Sequence, residues 1–146
     1  MITWLKAEEQ HQHKNGGGWV ANTATVEDSV YIGPDAQVSG NAQVYGNAQV
    51  YGNARVYGDA RVSGNAQVSG NAQVFGDAWV ETPLFIQGTK HGVSNSSYGK
   101  LSIDCVTLTF AKWKKQYRAI GKREGYTEKQ IKEYGAIIAL ATKIGK

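Results

Sequence analysis

Three histidines, one cysteine and a thin scatter of carboxylates are the groups in this 146-residue chain that could move protons, attack a carbon or hold a metal. General-base chemistry needs a group that titrates near the working pH and is held against a hydroxyl or amine. Of the histidines only His91 could be brought to such a position, and the alternative is an ordinary loop histidine. His91 and Cys105 can be drawn as a base and a nucleophile. No third residue stands ready to orient the pair, so Cys105 is expected to be a buried structural thiol. His11 and His13, alternate residues in a mobile segment without further ligands, make no metal site. Gly16-Gly17-Gly18 lacks the Lys-Ser/Thr of a phosphate loop and instead lets the chain bend. Asp59 and Asp77, eighteen residues apart with Asn41 eighteen before, could share a cation, but hydrogen bonds to corner amides and water are the expected outcome. No cofactor and no metal are expected.

The elements that must position these groups are dominated by one phrase. Residues 40–78 read GNAQVYGNAQVYGNARVYGDARVSGNAQVSGNAQVFGDA, and Val or Ile recurs every six residues from Val20 to Val80. Two residues before each lies a small or compact one, Ala36, Ala42 and Ala48 among them. A spacing of two puts both on one side of an extended strand. Gly followed by Asn or Asp then supplies a corner of unusual dihedrals. No phrase is long enough to pair with its sequence neighbour as a hairpin, so each forms one side of a coil. Three sides per turn give a parallel β-helix of eighteen residues per turn, rising about 4.8 Å each time, with about four coils.

In such a coil position n stacks on n+18. Tyr45, Tyr51 and Tyr57 then stand one on each of three faces, Tyr57 between Ser39 and Phe75, and Arg61 between Gln43 and Trp79. No face carries the continuous basic and aromatic track that a nucleic-acid strand needs. Val and Ala fill the inside and leave no lumen. Any ligand must bind at an end or between subunits, and outward Tyr45, Tyr51, Tyr57, Phe75 and Trp79 are the expected subunit contacts.

The phrase A-x-V-x-G-[ND], over residues 18–83, resembles the hexapeptide repeat of the left-handed parallel β-helix superfamily. The resemblance implies a left-handed coil and a homotrimer. Its acyltransferase members use a histidine at a subunit boundary and hold an acyl-CoA or similar donor between coils. This sequence departs from them, with no His in 20–80 and no insertion in the period, so His91 would have to serve as the catalytic residue. The stretch HKNGGGWVANTATVEDSVYIGPDAQV, together with the tail, is similar to phage and prophage proteins of unassigned function. That likeness implies a host protein or a host nucleotide signal as partner, as an inhibitor of host defence would require.

Three segments follow: an N-terminal cap, 1–17, whose Trp4 and Leu5 cover the first turn together with Trp19 of the coil; the coil, 18–83; and a region of strands and helices, 84–146. After Pro83, LFIQG, HGVSN and KLSIDCVTL read as short strands. Thr109 starts a helix with Phe110, Trp113, Tyr117 and Ile120 on one side. The capping pattern Thr127-Glu-Lys-Gln130 starts a second, with Ile131, Tyr134, Ile138 and Ala141 as the matching seam. Lys112, Lys114, Lys115, Arg118, Lys122 and Arg123 fan around the far side of the first helix, as a solvated face or as a surface for nucleic acid or another acidic partner. Residues 18–83 hold Arg55 and Arg61 against Glu27, Asp28, Asp35, Asp59, Asp77 and Glu81, a net of −4, whereas 84–146 net +8. No apolar run is long enough to span a bilayer. The N-terminus lacks a signal-peptide core, and one cysteine fits a reducing compartment, so a cytoplasmic location is expected. The sum is a non-catalytic, oligomeric scaffold that binds another macromolecule.

Overall fold

The computed structural model describes residues 1–146 in two compact units, Met1–Pro83 and Leu84–Lys146. In the first, a 3₁₀ turn at Ala7–Glu9 leads into β1 (Gln10–Gln12) and β2 (Trp19–Ala21). Two-residue strands follow at six-residue intervals: β3 (Thr25–Val26), β4 (Tyr31–Ile32), β5 (Gln37–Val38), β6 (Gln43–Val44), β7 (Gln49–Val50), β8 (Arg55–Val56), β9 (Arg61–Val62), β10 (Gln67–Val68) and β11 (Gln73–Val74), closing with β12 (Ala78–Trp79). They assemble into three parallel sheets, β2-β5-β8-β11, β3-β6-β9-β12 and β4-β7-β10. The result is a β-solenoid of three complete turns, with β11 and β12 beginning another.

The register is the one the period demands. Val20 pairs with Val38, Val38 with Val56 and Val56 with Val74. Corner glycines 40, 46, 52, 58, 64 and 70 have φ between 60° and 71°, where a side chain would be strained. Neighbouring backbone also crowds some of them: a Cβ on Gly40 would come 2.8 Å from the Gly58 nitrogen. Ala36, Val38, Ala42, Val44, Ala54, Val56, Ala60 and Val62 have no exposed surface at all. Each valine so buried contributes on the order of 1.5–3 kcal/mol before entropy is set against it.

Both ends depart from the sequence reading. At the last corner Gly76 gives up the left-handed conformation to Asp77, φ 66°, and the chain shortens by one residue. Trp79, not Val80, then pairs with Val62, and Ala78, not Trp79, pairs with Arg61. Trp79 is therefore buried and Val80 is 63% exposed. The indole has room only where no further turn follows, and its Nε1 donates to the Gly76 carbonyl at 2.8 Å. The same slip breaks the expected stack of Asp59 on Asp77: the Asp59 amide bonds to the Phe75 carbonyl at 3.1 Å.

At the other end the histidine segment is a strand, not a mobile tail. β1 runs antiparallel to β2, Gln10 opposite Ala21 and Gln12 opposite Trp19, and covers that sheet's edge. Ile2 is the buried plug, held by Gln10, whose Oε1 accepts from the Ile2 amide at 2.8 Å. Trp4, expected in the cap, is exposed. His13 is buried with Nε2 bonded to the Val30 carbonyl at 2.8 Å, and His11 Nδ1 meets Asn22 Oδ1 at 2.7 Å.

The second unit holds an antiparallel sheet of β13 (Phe85–Gln87), β14 (Gly92–Ser97), β15 (Lys100–Ile103) and β16 (Val106–Thr109), then α1 (Phe110–Arg123) and α2 (Glu128–Ile144). KLSIDCVTL is thus a hairpin rather than one strand, with Asp104 at φ 53° in a two-residue loop. That loop leaves Cys105 exposed, against the expectation of a buried thiol. Thr109 caps α1 by accepting from the Lys112 amide at 3.3 Å. Thr127 and Gln130 cap α2 reciprocally, at 3.1 and 2.9 Å. Val93, Leu101, Ile103, Trp113, Tyr134, Ile138 and Ala141 form the core. No helix is long and apolar enough to cross a membrane.

Candidate functional site

Three places bear groups that could recognise something. The first is the outside of the coil. Tyr45, Tyr51 and Tyr57 follow β6, β7 and β8 and so stand on three different flanks. Tyr45 is exposed, while Tyr51 and Tyr57 are half-buried by their own neighbours. The Tyr51 hydroxyl donates to Gln67 Oε1 at 3.3 Å and the Tyr57 hydroxyl to Gln73 Oε1 at 3.4 Å. Tyr57 also packs on Phe75 one turn along, ring centroids 5.6 Å apart. Burial pushes the Tyr57 phenol pKa up, with Arg55 opposing. Trp79 drops out of the set of outward contacts, because the register slip turns it inward.

The second place is a cleft in the helical unit, about 60 Å³, lined among others by His91, Asp104, Trp113, Glu124, Tyr126 and Tyr134. Tyr134 fixes the His91 backbone from both sides: its hydroxyl accepts from the His91 amide at 2.5 Å and donates to the His91 carbonyl at 2.6 Å. Lys90 Nζ lies 4.5 Å from the centre of the Tyr126 ring, and burial, with nearby Tyr134, Asp104 and Glu124, pushes the Tyr126 phenol up to about 12. The structure gives His91 an aromatic neighbour, Tyr126, at 6.2 Å between ring centroids. The space beside it has room for a few waters and not for a donor the size of acyl-CoA.

The third place is α1. Lys112, Lys114, Lys115, Arg118, Lys122 and Arg123 are all exposed, because Trp113 and Gly121 are the residues it buries. Arg118 lies 5.5 Å from the centre of the Tyr117 ring, and Arg123 pairs with Glu124 at 3.1 Å. The rest point to solvent as a cationic fan along one helix.

The geometry defines the class: a β-solenoid with a solid interior, to which an antiparallel sheet and a helical hairpin are appended. Residues 42–54, 48–64, 54–70 and 66–81 match the family model of the YdcK β-solenoid repeat, so residues 42–81 carry a YdcK-type β-solenoid repeat. All four segments lie within the solenoid and none reaches the helical unit. No curated protein and no solved structure matches the chain.

Proposed function

We propose that this chain is a non-catalytic binding scaffold: a rigid solenoid that self-associates along its flanks and presents its helical hairpin to another macromolecule. The observation that carries the reading is the sealed interior, in which Ala36, Val38, Ala54, Val56, Ala60 and Val62 are without exposed surface. A prism filled to its axis can act only through its exterior. The resemblance to phage and prophage proteins favours a partner from the host cell.

For self-association the flanks that end in Tyr45 and Tyr51 are the better candidates, since Tyr57 and Phe75 already cover one another. Light scattering on the full chain tests this. A discrete oligomer is expected, a trimer if the likeness to hexapeptide-repeat proteins holds, and Tyr45→Glu or Tyr51→Glu lowers its mass. A monomeric wild type overturns self-association. The cationic face of α1 favours an acidic surface or a nucleic acid as the partner. Retention on a DNA or RNA column would fall steeply with salt and be lost on reversing Lys114, Lys115 and Arg118. No retention at low salt removes nucleic acid and leaves an acidic protein.

A further inference from the structure

We propose that the flank of the β2-β5-β8-β11 sheet is a binding groove for an uncharged sugar ring. The groove, about 400 Å³, is lined by Trp4, Gln37, Ser39, Arg55, Tyr57 and Gln73. Its volume falls in the range of about 300–1,000 Å³ common to small-molecule sites. Trp4 comes from outside the repeat and is 62% exposed, an uncommon placement for the largest apolar ring in the chain. Beside it lies Tyr57, so two aromatic side chains face one trough.

The decisive group is Gln37. Its Oε1 is buried and accepts no hydrogen bond, while its Nε2 donates to the Met1 carbonyl at 3.4 Å. Turning the amide over would set oxygen against oxygen, so that carbonyl favours this orientation. A buried acceptor without a donor is costly, and an occupant that brings a donor recovers the loss.

Four kinds of occupant can be weighed on this lining. A purely apolar one leaves Gln37 orphaned. An anion brings acceptors only and meets a coil whose net charge over residues 18–83 is −4. A cation meets the Arg55 guanidinium. A pyranose suits the lining: its C–H face lies against aromatic rings, its hydroxyls accept from the guanidinium, and a small turn of the Gln37 side chain brings Oε1 out to take a hydroxyl proton. The groove uses a different flank from those of Tyr45 and Tyr51, so its failure and the failure of self-association are separate results.

The test is saturation-transfer NMR and titration calorimetry on the full chain with cellobiose, maltotriose and chitobiose. Sorbitol serves as an open-chain polyol control and AMP as a nucleotide control. At least one oligosaccharide should receive saturation at its ring C–H protons, and sorbitol none. Trp4→Ala should weaken binding roughly tenfold or more, without change in circular dichroism. Gln37→Leu should weaken binding too, yet melt at the same temperature or higher, because the orphan acceptor is gone. No transfer to any of the sugars overturns the proposal, as does preference for AMP or affinity indifferent to Trp4→Ala. A change of oligomer mass in Trp4→Ala also overturns it, since a second copy of the chain would then occupy the groove.

Discussion

Replacing Trp79 by alanine empties the end of the coil, and the price of that change depends on a residue that the native structure leaves outside. Trp→Ala in a core costs about 3–5 kcal/mol. Val80, however, is 63% exposed and sits where the six-residue period reserves a rung. Without the indole the last strand can step back by one residue, setting Val80 on Val62 and Ala78 on Ala60. Burying that valine returns about 1.5–2 kcal/mol. The net loss is then about 2 kcal/mol. The amides that report it are those of Arg61 and Ser63, which donate to the Asp77 and Trp79 carbonyls at 2.8 and 2.9 Å. Their hydrogen exchange should quicken ~30-fold in Trp79→Ala. Val80→Ala alone should change it little, within about 0.5 kcal/mol. In the Trp79→Ala background the same Val80→Ala change should cost a further ~1.5 kcal/mol, because there the valine is the rung. Equal effects of Val80→Ala in the two backgrounds would refute the second register.

Gly40→Ala and Gly17→Ala both force a side chain to positive φ, 62° and 78°, but a Cβ at 40 meets the Gly58 backbone at 2.8 Å whereas at 17 it meets nothing within 4 Å. Unfolding free energies from urea titration should therefore fall by about 1–2 kcal/mol for Gly17→Ala and by clearly more for Gly40→Ala. Tyr126 has its phenol pKa raised from 10.0 to about 12 in the folded chain. Unfolded chains lose that proton first, so the helical unit should lose stability as pH rises from 10 towards 12, and Tyr126→Phe should flatten that part of the profile when melting temperatures are compared.

The repeat was legible because each rung is a local event: an inward Ala-x-Val pair, a Gly corner, and a partner fixed eighteen residues on. Thr109 and Thr127 announced their helices for a similar reason, since a cap acts within one turn. Where the reading failed, two local solutions competed and distant shape decided. Val80 satisfied the period, yet Trp79 fills an open end better. Trp4 looked like the apolar plug, and the smaller Ile2, pinned by Gln10, took the place. Asp104 was the one mark of a turn between the apolar runs of KLSIDCVTL, a weak one with no Gly or Pro beside it. The groove was invisible for another reason: Gln37 and Arg55 stack one turn apart as the period demands, but Trp4 lies outside the repeat, and only winding brings it to the flank of the others.

Contacts between successive rungs in the middle of the coil are interchangeable, since Val44 on Val62 and Val38 on Val56 are the same event on different sides. Splicing in another eighteen residues of the phrase would lengthen the rod by one storey without asking any neighbour to change, while the termini, with Ile2 below and Trp79 above, keep their singular fittings. Selection could thus tune the length of such an array by duplication and deletion alone, and reserve point substitution for its surface.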